Sequence, residues 1–249
     1  SQPISTEVTA FTFTPDNKKM VTGFADGTIM IWNGEGKLIL TKKPEFKIEP
    51  YETNRGITEL NISPDGERII AHIGYKYHLL DKSGNVLNHF GAEYAGFSSN
   101  NQSIYAIGRG NGGTAYDYSL SEVGKLSITY NEKNNKGEPA ELVIHGVVNQ
   151  ANGGYFLLCS FTINERKDLH SWWLYSLDAS LKVNNKLRLS FSEDIHNALI
   201  SANQQGTKII MGGWCSSAGK KYLREGISYS PKIGSMDNAD GNTDYVKIN

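Results

Sequence analysis

The chain has 249 residues, 39% of them hydrophobic and 20% charged, with a formal net charge of -1. That is the composition of a folded globular protein with a full core, and it excludes a disordered chain and any global attraction to nucleic acid. No apolar run approaches the ~20 residues of a membrane span, and no signal-peptide pattern follows Ser1.

From the N-terminus, "TAFTFT", "MVTGFA" and "TIMIW" each alternate apolar and polar residues, and "PDNK" and "DG" separate them. Alternation of period two with turn residues between the runs predicts short strands joined by hairpins, and no segment carries a helical period. Phe11 and Phe13 fall on one side of the first strand, together with Thr9, and are expected in the core. At Ile57 the pattern returns as "ITELNISPDGERIIAHIGYKYHLLDKSGNVLNHF", strand for strand, and a third copy starts at Tyr94. The fourth and fifth copies align at "IHGVVNQANGGYFLLCSF" from Ile144 and "IHNALISANQQGTKIIMGGW" from Ile195. The third and fourth strands of the units meet at "NGEGKLI", "DKSGNVL", "SEVGKL" and "DASLKV". Five units of four strands fill the chain, and a spacing of roughly 35 to 52 residues suits one four-stranded sheet per repeat.

A lone four-stranded meander has two apolar faces, so copies must pack face to face, and radial closure removes both orphan faces. The chain resembles the WD-repeat and related β-propellers, on "FTFTPDNKKMVTGFADGTIMIWNGEGKLI" and "LNISPDGERII". "GGYFLLCSF" and "SWWLYSLDASLKV" are similar to the degenerate propeller repeats of bacterial secreted and multidomain proteins. The resemblance implies an all-β propeller of four-stranded antiparallel blades. About five blades are recognisable in a single domain, at 8–43, 57–90, 92–130, 141–190 and 195–249. Residues 1–7 and "DYVKIN" from Asp244 are candidate outer strands of the last blade. No unit has the family's Gly-His before its first strand, and only Trp32 approximates the Trp-Asp ending.

In such a blade the loop between strands two and three shares a face with the connection to the next blade. The turns after strand one, and most of those after strand three, are tight, so their face is plain. The opposite face receives the long excursions Lys42 to Gly56, Glu132 to Ala140, Asn164 to His170 and Cys215 to Gly226. Long loops on a rigid scaffold are where binding usually resides. Their mixed charge with aromatic anchors suits a protein surface better than a phosphate backbone. The candidate partner-binding residues are Lys43, Tyr51, Arg55, Lys136, Arg166, Asp168, Lys220, Tyr222 and Arg224.

Catalytic patterns are thin. Glu93, His145 and His196 occupy one repeat position, with Thr9 and Thr58 in the first two units; side chains there point between blades, so a structural histidine bonded to a neighbouring blade is expected rather than a metal triad. "GRGNGG" from Gly108 joins two strands instead of opening a helix and reads as a hairpin loop. In "SWWLYSL" from Ser171, Trp173 and Tyr175 share one face and Trp172 and Leu174 the other, as in a strand packed on both sides. "DNADGNTD" from Asp237 lacks the closing glutamate of a calcium loop, and Cys159 and Cys215 read as small buried thiols. No catalytic residue, metal site or cofactor is expected. The expectation is a non-enzymatic module, a scaffold or regulatory domain of a larger protein, binding a protein or peptide through the long-loop face, with neither nucleic acid nor membrane insertion. A fused or associated enzyme domain is a further expected partner. The alternative is a secreted propeller that binds or cleaves carbohydrate; the compartment stays open, with a lean to the cytoplasm and export as the alternative.

Overall fold

The structure, a computed structural model, describes residues 7–14, 16–53, 55–108, 112–128, 131, 133–134, 136–162, 170–189, 195–202, 208–217, 220–229, 236–238 and 246–248, with backbone alone at 170, 195–197 and from 212 onward. All regular structure among these residues is β. Strands β1 (Val8–Phe13), β2 (Lys19–Phe24), β3 (Ile29–Asn33) and β4 (Leu38–Lys42) form one antiparallel meander. Strands β5 (Ile57–Ile62), β6 (Arg68–Ile73), β7 (Lys76–Asp81) and β8 (Val86–Phe90) repeat it. The third repeat supplies two hairpins, β9 (Tyr94–Phe97) with β10 (Ile104–Ile107), and β11 (Gly113–Tyr116) with β12 (Glu122–Lys125). Strands β13 (Glu141–Asn149), β14 (Tyr155–Thr162), β15 (His170–Leu177) and β16 (Val183–Leu189) form the next four-stranded sheet. The last sheet holds β17 (Ile195–Ala202), β18 (Ile209–Ser217), β19 (Lys220–Tyr229), β20 (Met236–Asn238) and β21 (Val246–Ile248); β21 lies beside β19 and β20 outside it.

The chain divides into two compact units. The first holds the first two sheets and the β9–β10 hairpin with turn 117–120; the second holds β11 to β21. Within the first unit, one face of each of the first two sheets supplies the core: Val21, Ile29 and Ile31 pack on Ile57, Ile69 and Leu80. Within the second, Phe156, Leu158, Trp172 and Leu174 pack on Ile209 and Met211 of the last sheet. Trp172 and Leu174 are therefore core on one side of β15, and Tyr175 is buried on the other.

The repeat is written in its turns. Asn33, Asp81, Asp117 and Asp178 each accept the backbone N–H two residues on, at 2.8 to 3.1 Å. The residue three positions after each has positive φ: Gly36, Gly84, Leu120 and Leu181. The first two are glycines, as a left-handed backbone favours, whereas Leu120 (φ 69°) and Leu181 (φ 66°) adopt it at a steric cost. This corrects the third of the expected turns: it lies at Asp117–Leu120, and "EVGK" is strand β12.

Phe11 and Phe13 are not core. They are 64% and 50% exposed, their rings edge to face at 6.1 Å. A β-bulge at Thr9, between the pairs Val8 with Phe24 and Ala10 with Gly23, breaks the alternation. Thr9 turns to the second sheet, its hydroxyl donating to the Ile57 carbonyl at 2.5 Å, and the two phenylalanines fall on the other side. The corresponding position is bulged again at Thr58 and at His145.

Candidate functional site

Between β4 and β5, residues 43–53 and 55–56 have no regular structure of their own, yet several of them are tied down. Phe46 and Ile48 pack against the core between the first two sheets, and the Phe46 ring meets His78 edge-on at 5.0 Å. Glu52 is buried, only 4% exposed. Its carboxylate accepts the Glu49 N–H at 2.9 Å and, from the β6–β7 turn, the Tyr75 N–H at 3.1 Å. A buried carboxylate costs free energy unless such donors meet it, so these bonds fix strap and turn together. Glu49 pairs with Lys76 at 2.6 Å; that hydrogen bond holds the Glu49 carboxyl below its ordinary range and raises the Lys76 ammonium.

The β2–β3 turn closes the other side. Lys43 reaches Asp26 at 3.7 Å, and Gly56 lies against the Ala25 backbone. Partial burial works to raise Asp26, but hydrogen bonds from the Thr28 N–H and hydroxyl, with Lys43 beyond, outweigh it and hold the carboxyl low. Connection and turns thus share one end of the sheets, as the alternation rule requires. Out of this frame project Tyr51, 74% exposed, and Tyr75, 71% exposed, with the exposed cations Lys43 and Arg55.

Three of the residues singled out from sequence, Lys43, Tyr51 and Arg55, sit on this strap. Tyr75 was missed. Its signal was present in "IGYK", where an aromatic occupies the tip of a two-residue hairpin. Lys136 is exposed on a separate hairpin of the second unit, where Asn134 accepts the Lys136 N–H at 2.9 Å and the Lys133–Pro139 bridge closes the base. Arg166 and Asp168 lie outside the described residues. Lys220, Tyr222 and Arg224 were expected in a long loop from Cys215 to Gly226; instead they lie in β19, paired with Ser217, Cys215 and Gly213 of β18. The glycines, serines and lysines of "CSSAGKKYLREG" resemble loop composition, but the backbone pairing of a long hairpin overrides that preference.

Beside the strap, Thr58, Glu59, His72 and Tyr77 form a polar cluster. The Tyr77 hydroxyl lies 2.8 Å from Glu59 Oε2 and 3.0 Å from the Glu93 carbonyl, and burial, then Glu59, pushes its ionisation up. His72 Nδ1 is 2.7 Å from the Thr58 hydroxyl, and burial lowers its basicity against the opposing pull of Glu59 and Glu52. A tyrosine held protonated and a histidine held neutral make a structural network, not an activated nucleophile. His145 Nε2 is 2.8 Å from Ser160 Oγ, and its ring lies on Trp172 at 4.5 Å, both within its own sheet. The side chain of His196 and the loop residues 109–111 and 239–244 lie outside the described residues. Among the described residues no group of three His, Cys, Asp or Glu side chains is arranged to hold a metal, and no helix is long and apolar enough to cross a membrane. Cys159 is buried, and burial pushes its thiol up, away from reactivity.

Residues 3–33 match the family described as WD domain, G-beta repeat. Over most of its length the chain superimposes on the β-propeller domain of Cps50 (Swd1) from Myceliophteria thermophila, with a TM-score of 0.55 over 90% of this chain and 73% of that one. The fold is that of a β-propeller, with a WD repeat at its N-terminal end. At 16% identity this likeness concerns the fold alone, and no curated protein matches the chain. WD-repeat propellers generally serve as protein-interaction scaffolds.

Proposed function

We propose that this propeller is a non-enzymatic interaction module that recognises a protein or peptide through the strap end of its first unit. The observation that carries the reading is the pair of tyrosines more than 70% exposed, Tyr51 and Tyr75, mounted on backbone that one buried carboxylate holds from both sides. Exposed aromatic rings on preorganised backbone lose little entropy on binding and are the usual hot spots of interfaces. Lys43 and Arg55 flank them and give the surface its orientation toward an acidic or carbonyl-rich partner.

The test begins with affinity capture on the intact chain from lysate of the source organism, followed by titration of the captured protein. Replacing Tyr51 and Tyr75 together by alanine is expected to weaken binding by about 2 kcal/mol or more, roughly 30-fold. A dissociation constant unchanged in the double variant refutes the strap as the recognition surface.

A further inference from the structure

A second feature lies at the other end of the same two sheets, where the turns are short and no long loop arrives. Thr14, Lys19, Val21, Ile31, Ile39 and Leu40 of the first sheet face Ile62, Gly66, Ile69, Lys82 and Ser83 of the second around a cavity of about 280 Å³. Its floor is aliphatic: Val21 and Ile69 are buried, and Ile31 nearly so. Its mouth is not. Ile39 is 54% exposed because a β-bulge in β4, between the pairs Ile31 with Leu40 and Trp32 with Leu38, turns it to the same side as Leu40.

The polar groups at the mouth are two ammonium groups and two hydroxyls, those of Lys19, Lys82, Thr14 and Ser83. Among the described residues Lys19, which is exposed, pairs with no carboxylate and no carboxylate lines the cavity; Lys82 is held by Glu67 at 2.6 Å, and Ser83 contributes a hydroxyl. A volume just below the ~300 Å³ at which small-molecule pockets begin accommodates a branched side chain rather than a drug-sized ligand. Aliphatic walls set the shape of that side chain, and an unpaired ammonium at the lip sets the charge beside it.

We infer that this inter-sheet cavity is a second docking site, which takes an aliphatic side chain of an acidic peptide, with a carboxylate next in sequence meeting Lys19. Desolvating the side chain supplies affinity, and Lys19 supplies sign selectivity and salt dependence. The site goes beyond the strap reading and shares no residue with it, so one propeller engages partners at both ends.

The probe is fluorescein-labelled Glu-Ile-Glu, capped at its C-terminus as the amide and titrated by polarisation against the full chain. Lys-Ile-Lys and Glu-Ser-Glu serve as controls. Saturable binding of the first peptide, at least about 10-fold tighter than either control, is expected. Lys19→Glu and Ile39→Ser, both at exposed positions, are each expected to weaken it by about 10-fold while leaving the circular dichroism spectrum unchanged, and added salt is expected to weaken wild type more than Lys19→Glu. The alanine variant at Tyr51 and Tyr75 is expected to bind the peptide like wild type. No saturation up to about 1 mM, equal binding of all three peptides, or loss of binding in the tyrosine variant alone each overturns the inference. None of these outcomes bears on the strap as a separate partner surface.

Discussion

His78 is fully buried on β7, and neither ring nitrogen makes a hydrogen bond of good geometry. The Phe46 ring from the strap and His89 from β8 flank it, and the Lys47 and Lys76 backbones lie near. Burial, then the neighbouring His89, pushes its basicity down to about 4. In the unfolded chain a histidine titrates near 6.5. The native state therefore binds fewer protons than the unfolded one between those values, and stability falls as pH drops through that window. Wild type is expected to lose about 2 kcal/mol between pH 7.5 and 5 from this group, and His72, also lowered by burial, adds loss of the same sign. Carboxylates held low, such as Asp26 and Asp81, begin to cost stability only further down, as pH falls below the ordinary carboxylate range. Urea denaturation of wild type and His78→Leu at both pH values measures the difference; equal slopes with pH in the two proteins would show that His78 is not the group responsible.

The strap depends on one acceptor serving two elements. Glu52→Gln keeps the shape but retains a single carbonyl oxygen where two oxygens now accept the Glu49 and Tyr75 N–H groups. A cost of about 1 to 3 kcal/mol is expected. Hydrogen exchange is the sharper measurement: the amides of Glu49 and Tyr75 should lose protection while those of β6 and β7 keep theirs, and unaltered exchange at both would detach the strap from Glu52. Gly74 probes the same contact, since a Cβ there would lie 2.6 Å from Glu52 Oε2 on a backbone with φ of 62°. Much of this region was legible in the sequence. The Asp26–Gly27 pair marks a turn that needs positive φ, and "KKPEFKIEPYETNRG" is too long for a hairpin and too aromatic for idle solvent loop. The burial of Glu52 was not legible, because it follows from a backbone N–H two strands away. The turn at Leu120 was hidden for a related reason, whereas "DASLKV" marked the one at Leu181: leucine in the left-handed region is chosen by the Asx bonds of Asp117 and Asp178, not by its own preference. Bulges at Thr9 and Ile39 likewise escape a strict period of two, and that one slip moved Phe11 and Phe13 from the core to the surface.

Repeated sheets that pack face to face couple most strongly to their neighbours in sequence, and two glycines set how closely they approach. A Cβ on Gly23 of β2 would lie 2.7 Å from Ile57 Cγ2 and 2.9 Å from Ile57 Cβ, with Leu60 Cδ1 at 3.2 Å. Ile57 is fully buried, and its carbonyl is already held by Thr9, so the second sheet itself would have to give way. A Cβ on Gly146 of β13 would meet Ile200 Cγ2 at 2.6 Å, but the next atoms stand at 3.9 Å. Ile200 is only half-buried, so a change of its rotamer relieves the clash. Gly23→Ala is therefore expected to cost about 1 to 3 kcal/mol of stability by overpacking, and Gly146→Ala clearly less. In the first variant amide protection should drop in β1, β2, β5 and β6 and be retained in β14 and β15, because a disturbance in stacked repeats is felt first across the interface it opens. Chemical denaturation ranks the two costs and native-state exchange maps them. Equal costs would mean that the first interface yields as easily as one isoleucine side chain, and the close approach of β2 to Ile57 would no longer account for a glycine at position 23.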